Sequence, residues 1–226
     1  MPLPDDTKKS VIDYCDQHLG DDKWFEDQFA FIADERLRER LAVEFYAARY
    51  VYKLGEGLAV GGARLHAHCK FQIVQYASIY EGVIVHLLWG VFANEPAVAE
   101  IDSHLAIKRA GAFPADINVG DREGRQVFLA VEKTERTPRQ SIKFEDKVAA
   151  AVAIGLLDEK LGEEIKDIYT LRNAIHLETA LKRSVDYGLE QSQLAYRRMR
   201  PFLEGVRARL AREPQPGMPA EIPPAD

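Results

Sequence analysis

A guanidinium cannot shed its proton, so an arginine on an apolar helix face is the most informative residue of this chain. At about 100° per residue, Leu161, Ile165, Ile168 and Ile175 fall within about 40° of one direction along the helix expected from Asp158 to Leu181. Arg172 sits in the middle of that stripe. A permanent cation there must be paired with an acid, reach a solvent-filled cleft or face a partner subunit. His176 follows one turn later on the neighbouring edge of the same face, and Asn173 projects to its other side. The pair can address one small volume: the arginine binds oxyanions in bidentate fashion, and the imidazole carries a proton near neutral pH.

A matching anomaly lies upstream. Between Phe71 and Ala93 the only formally charged side chain is Glu81, in the run Ser78-Ile-Tyr-Glu-Gly-Val-Ile-Val-His86. A nearly wholly apolar helix with one carboxylate asks for one cation, because buried charges are seldom left unpaired. The expected partner is Arg172, with Glu81 as its orienting acid.

The segment Leu171-Arg-Asn-Ala-Ile-His-Leu177 resembles the signature helix of HEPN domains, which are compact all-helical modules with an arginine, a polar residue and then a histidine. Tyr80-Glu-Gly-Val-Ile84 is similar to the acid-bearing helix that many such proteins place before it. The likeness is good from Ser141 to Leu181, weaker from Arg64 to Phe92 and absent elsewhere. Only Asn173, Ala174 and Ile175 separate Arg172 from His176, where the catalytic pattern usually has four to six residues. The shorter spacing still keeps both on one helix face. The resemblance implies a metal-independent endoribonuclease of toxin or phage-defence type. It would act as a homodimer with the motif lining a cleft between subunits, beside an antitoxin or other protein partner. In that scheme Arg172, Asn173 and His176 are catalytic, no cofactor or metal is used, and RNA is the substrate. RNA carries its own nucleophile, the 2′-hydroxyl, so a proton carrier and a phosphate clamp suffice. The rival expectation is a non-catalytic binding or dimerisation module in which Arg172 and His176 are structural.

Other candidate residues carry weaker readings. His66, His68 and Cys69 stand together, but His-x-His spacing on a helix points the rings to different sides, and zinc sites need three or four converging ligands. Cys15 and Cys69 read as small buried thiols of a reducing compartment. His86 reads as a core histidine.

The elements that must position these residues are mainly helical. Helices are expected over Asp5 to Gln17, over Asp22 to Leu54 as one or two pieces, and over Arg64 to Phe92 at the centre of a bundle. Gly55, Gly57, Gly61 and Gly62 mark the turn between the last two. A shorter helix is expected over Ala97 to Ala110. Between 116 and 136 the texture changes, and Ile117 to Val119 with Arg125 to Lys133 read as a small two-stranded β-hairpin insertion. Helix resumes over Phe144 to Ile154, breaks at Gly155, restarts with Asp158 as N-cap and ends with Leu189 to Ala211, bent at Pro201. The fold class is therefore a HEPN-like helical bundle with a small hairpin. Its single domain covers 1–212, and the tail 213–226, with five prolines, reads as disordered.

Composition bounds the rest. With 226 residues, 46% hydrophobic and 29% charged, the chain is not a disordered one, and it can bury about 70% of the surface its unfolded form exposes. The net charge of −6 argues against a protein that coats nucleic acid over its whole surface. Basic residues nevertheless crowd the C-terminal part, where Lys182, Arg183, Arg197 and Arg198 are the expected RNA contacts. Phe71 to Ala93 has the length of a membrane span, but a central carboxylate costs about 2.5 to 3.5 kcal/mol on insertion scales. No membrane association is expected, and the polar start, Met1 to Ser10, where a secretory signal would place basic and then apolar residues, makes the cytoplasm the default location.

Overall fold

The computed structural model describes residues 2–111 and 129–213. The chain is mainly helical with one two-stranded antiparallel sheet. Helices α1 (Asp5–Gln17), α2 (Asp22–Gln28) and α3 (Glu35–Gly57) build one side. Asp21 and Asp34 cap α2 and α3 by accepting from the backbone N–H groups of Trp24 and Leu37, so the segment expected as one helix or two is two.

At the centre is α4 (Ala63–Gly90), which buries Ile73, Tyr76, Ile79, Tyr80, Val83 and Ile84. It packs against α3, α6 (Phe144–Ala153), α7 (Glu159–Asn173) and α9 (Leu189–Leu210). Polar groups inside the bundle are matched across helices. The Tyr80 hydroxyl donates to the Ala195 carbonyl at 2.7 Å, and buried Ser192 donates to buried Gln72 at 2.6 Å. No helix of the described residues is long and apolar enough to cross a membrane.

Two glycines are dictated by geometry. Gly155 turns the chain after α6 with φ +77°, a left-handed conformation open to a residue without Cβ. Gly162 lets α7 approach α6 closely, since a Cβ there would lie 2.8 Å from Val152 Cγ2. Asp158 caps α7 by accepting from Leu161 N–H at 2.8 Å, as the sequence indicates. Helix α9 runs through Pro201 without interruption.

Three expectations are corrected. The helix expected over Ala97 to Ala110 is only α5 (Pro96–Ile101), followed by strand β1 (Ser103–Gly111). β1 pairs with β2 (Leu129–Arg136), so the pairing starts well before 116, and residues 129–133 of the expected second strand pair with β1. Residues 117–119 and 120–124 lie outside the described residues, as does 214–226 of the expected tail. Asp102 fastens the hairpin's base: its carboxylate accepts from Trp89 Nε1 at 3.0 Å and Arg136 Nε at 2.9 Å. Finally, the helix expected to continue to Leu181 ends at Asn173, and a separate short helix, α8 (Leu177–Lys182), follows.

Candidate active site

Arg172 lies in the last turn of α7, and His176 is the N-cap residue of α8. The turn between them is imposed from outside. The Tyr187 hydroxyl donates to the Leu171 carbonyl at 2.9 Å, and Lys70 Nζ donates to the Ile175 carbonyl at 2.9 Å. These donors satisfy carbonyls that a longer helix would have used itself, and they come from the α9 lead-in and from α4. Ala174 is fully buried at the corner, which fixes its direction.

The guanidinium of Arg172 rests 5.2 Å from the centre of the Tyr169 ring and donates to Asn173 Oδ1 at 3.1 Å. Among the described residues no carboxylate lies in ion-pair range of it. His176 is exposed, and its ring makes no hydrogen bond or ion pair to any described residue. A permanent cation held by a ring and a neutral amide keeps its charge available for an incoming anion. The helix breaks between Arg172 and His176, so the shared helix face expected for the two is not formed, and His176 stands on the following corner.

Glu81 does not pair with Arg172, which corrects the expected contact. Its Oε1 accepts from the Tyr169 hydroxyl at 3.1 Å and lies 3.9 Å from Lys147 Nζ. The physical reason is depth. Lys147, with 7% of its side chain exposed, enters the core from α6 and has no water to turn to, whereas Arg172 at a helix end does. Tyr169 is the intermediary: Phe144 stacks on it at 3.9 Å, Glu81 holds its hydroxyl, and its ring carries Arg172. Burial, then the adjacent Glu81 carboxylate, pushes the Tyr169 phenol above its ordinary range, so it stays a neutral donor.

The expected RNA contacts separate into different settings. Lys182 is exposed and paired with Glu178 at 2.7 Å on its own helix. Arg183 is exposed at the end of α8 without an ion-pair partner among the described residues. Arg198 is committed to Glu164 of α7, at 2.5 Å and 2.6 Å through two nitrogens, so it belongs to the α7–α9 contact. Arg197 turns to the groove beside α3, where Gln193 Oε1 accepts from it at 3.4 Å.

Sequence reasoning missed Lys147, Tyr169, Lys70 and Tyr187. Two had a signal. Tyr169 is three residues before Arg172, the spacing of facing helical neighbours, and Lys147 falls at core spacing between buried Phe144 and Ala151. Lys70 and Tyr187 act on the motif from far along the chain, and nothing local marks them.

Among the described residues no three His, Cys, Asp or Glu side chains form a group able to hold a metal ion. His66 instead meets Asp186 at 3.3 Å, His68 Nδ1 lies 3.2 Å from the Val51 carbonyl oxygen, and Cys69 is buried. No family model, no curated protein and no solved structure matches this chain.

Proposed function

We propose that this protein is a HEPN-like, metal-independent endoribonuclease that acts as a homodimer. The observation that carries the reading is Arg172, set on Tyr169 with no carboxylate in ion-pair range, followed four residues on by an exposed His176, neither of them ion-paired among the described residues. In the reaction His176 takes the proton of an RNA 2′-hydroxyl, and the 2′-oxygen forms a bond to phosphorus. The bond from phosphorus to the 5′-oxygen breaks, and the proton returns to that leaving oxygen. Products are a 2′,3′-cyclic phosphate and a 5′-hydroxyl. Arg172 neutralises the phosphate as charge builds, and Asn173 holds the guanidinium in place. Exposed Arg183, at the end of α8, adds a positive charge, whereas Lys182 is paired with Glu178. Leu177 and Leu181, 75% and 71% exposed and one turn apart, supply an apolar strip beside His176 that a second copy would cover.

A defence or toxin role, with an antitoxin or other protein partner, rests on the family resemblance alone. The rival reading is a non-catalytic binding or dimerisation module. It is favoured by the way Tyr169 and Asn173 already engage Arg172, and by the absence of Arg172, Asn173 and His176 from the linings of the five described clefts.

Labelled RNA incubated with the protein, with and without EDTA, separates the two. The nuclease cleaves in both conditions, and His176→Ala slows it by about 10²- to 10⁴-fold, the usual contribution of one proton-transfer group. Cleavage that disappears with EDTA, or that persists at the parental rate in folded His176→Ala, overturns the assignment.

A further inference from the structure

A second surface of the molecule, sharing no residue with the Arg172–His176 turn, is built as an anion site with an aromatic floor. Two adjoining clefts run along the seam of α3 and α9, one of about 480 Å³ and one of about 280 Å³. Trp24, Phe45, Met199 and Leu203 line the wider one. Arg49, Tyr52 and Lys53 line the narrower, and Tyr196 and Arg197 line both. The wider cleft has the volume of a small-molecule pocket.

The charges here depart from the rest of the chain. Lys53 is paired with Glu56 at 2.6 Å and Arg200 with Glu204 at 2.8 Å. Arg49, Arg197 and Arg207 have no carboxylate in ion-pair range among the described residues. Neutral groups order them instead. Arg49 lies 4.0 Å from the Tyr196 ring centre, and Arg207 Nη2 donates to the Gln28 carbonyl at 2.8 Å. In a protein of net charge −6, three guanidiniums aimed at one groove and left without acids make a local field that favours an anion.

Beneath the clefts Tyr76 is fully buried, with its hydroxyl beside the Arg49 side chain. Its ring contacts Tyr196 and Phe45, with ring centres 6.1 Å and 6.3 Å apart, so it underlies the junction of the two clefts. Tyr76 itself lines neither cleft; the floor open to a ligand is aromatic, and the wall supplies cations.

We propose that this groove binds a nucleoside monophosphate, with the base against Trp24 and the apolar wall of the wider cleft and the phosphate between Arg49 and Arg197. Trp24 is 43% exposed, which leaves part of its indole for a ligand ring to cover. The narrower cleft, lined by Arg49, Lys53 and Arg197, is the cationic one and takes the phosphate, so the two clefts together match one base and one phosphate.

The four ribonucleoside monophosphates, adenosine and inorganic phosphate are each titrated into the full chain and followed by calorimetry and tryptophan fluorescence. At least one monophosphate binds, at least tenfold more tightly than adenosine or phosphate alone, and quenches fluorescence in a way that Trp24→Phe abolishes. Arg49→Gln and the exposed Arg197→Gln each weaken it about tenfold or more, equal to about 1.4 kcal/mol. Arg172→Gln leaves it unchanged, which separates this site from the proposed nuclease centre. Failure of all four monophosphates at millimolar concentration overturns the proposal, as does binding unaltered in Arg197→Gln. Short single-stranded RNA that binds where no monophosphate does also overturns it, since the groove then takes a polymer.

Discussion

At the scale of single residues, the decisive arrangement is the chain Lys147–Glu81–Tyr169–Arg172, which runs from the core to the surface. Its inner end determines stability. Glu81→Leu strands the ammonium of Lys147 in the core without its carboxylate, and unfolding in urea should reveal a loss of about 1 to 3 kcal/mol. Adding Lys147→Met should restore part of that loss, because two apolar groups of similar shape replace a marginal buried pair. A double variant no more stable than Glu81→Leu alone would show that the ammonium does not depend on Glu81. The cation opposite Glu81 was legible in kind but not in identity. A lone carboxylate in an apolar helix calls for a positive charge, yet Arg172 and Lys147 both sit at core spacing, and only depth distinguishes them.

At the scale of elements, helix α1 is docked through one acid. The Tyr14 hydroxyl donates to Glu56 Oε2 at 3.0 Å, and Lys53 donates to the same oxygen at 2.6 Å. The hydrogen bond from Lys53, followed by that from Tyr14, holds the Glu56 carboxyl below its ordinary value of 4.5. A depressed carboxylate stabilises the fold above its unfolded pKa, and that contribution is lost as pH falls through the lower folded value. Amide protection in α1, corrected for the pH dependence of intrinsic exchange, should therefore fall below about pH 4 relative to pH 6, and Glu56→Gln should remove the difference. Equal protection of α1 at both pH values would mean that the carboxylate does not hold it.

The elements also mark where sequence reading stopped. Asp158 and Gly155 carry their signals in their own side chains, and both were legible. The end of α7 at Asn173 was not. From Leu171 to Leu181 there is no glycine or proline, and the break comes from Tyr187 and Lys70 taking the Leu171 and Ile175 carbonyls. The strand Ser103–Gly111 was hidden for a related reason. Its alanine, leucine, lysine and arginine favour helix, and the ladder to Leu129–Arg136 overrides that preference.

At the scale of the whole molecule, the proposed nuclease depends on a second copy, and the exposed strip of α8 gives that dependence a handle. Leu181→Asp should convert a dimer into a monomer in sedimentation or light scattering and should abolish RNA cleavage, while leaving the helical signal intact. A parent that is already monomeric at micromolar concentration would remove the shared cleft. The bundle itself was the most legible level. Apolar period alone located α1, α4, α6 and α9, because α4 is buried around most of its circumference, α6 and α9 show it one face, and α1 shows one face to α3. The same assembly has a consequence in time. The corner that carries Arg172 and His176 borrows its last donor from Tyr187, so a nascent polypeptide that has not yet emerged past that tyrosine lacks the corner. Chemistry at that corner would therefore wait until the ribosome has released Tyr187.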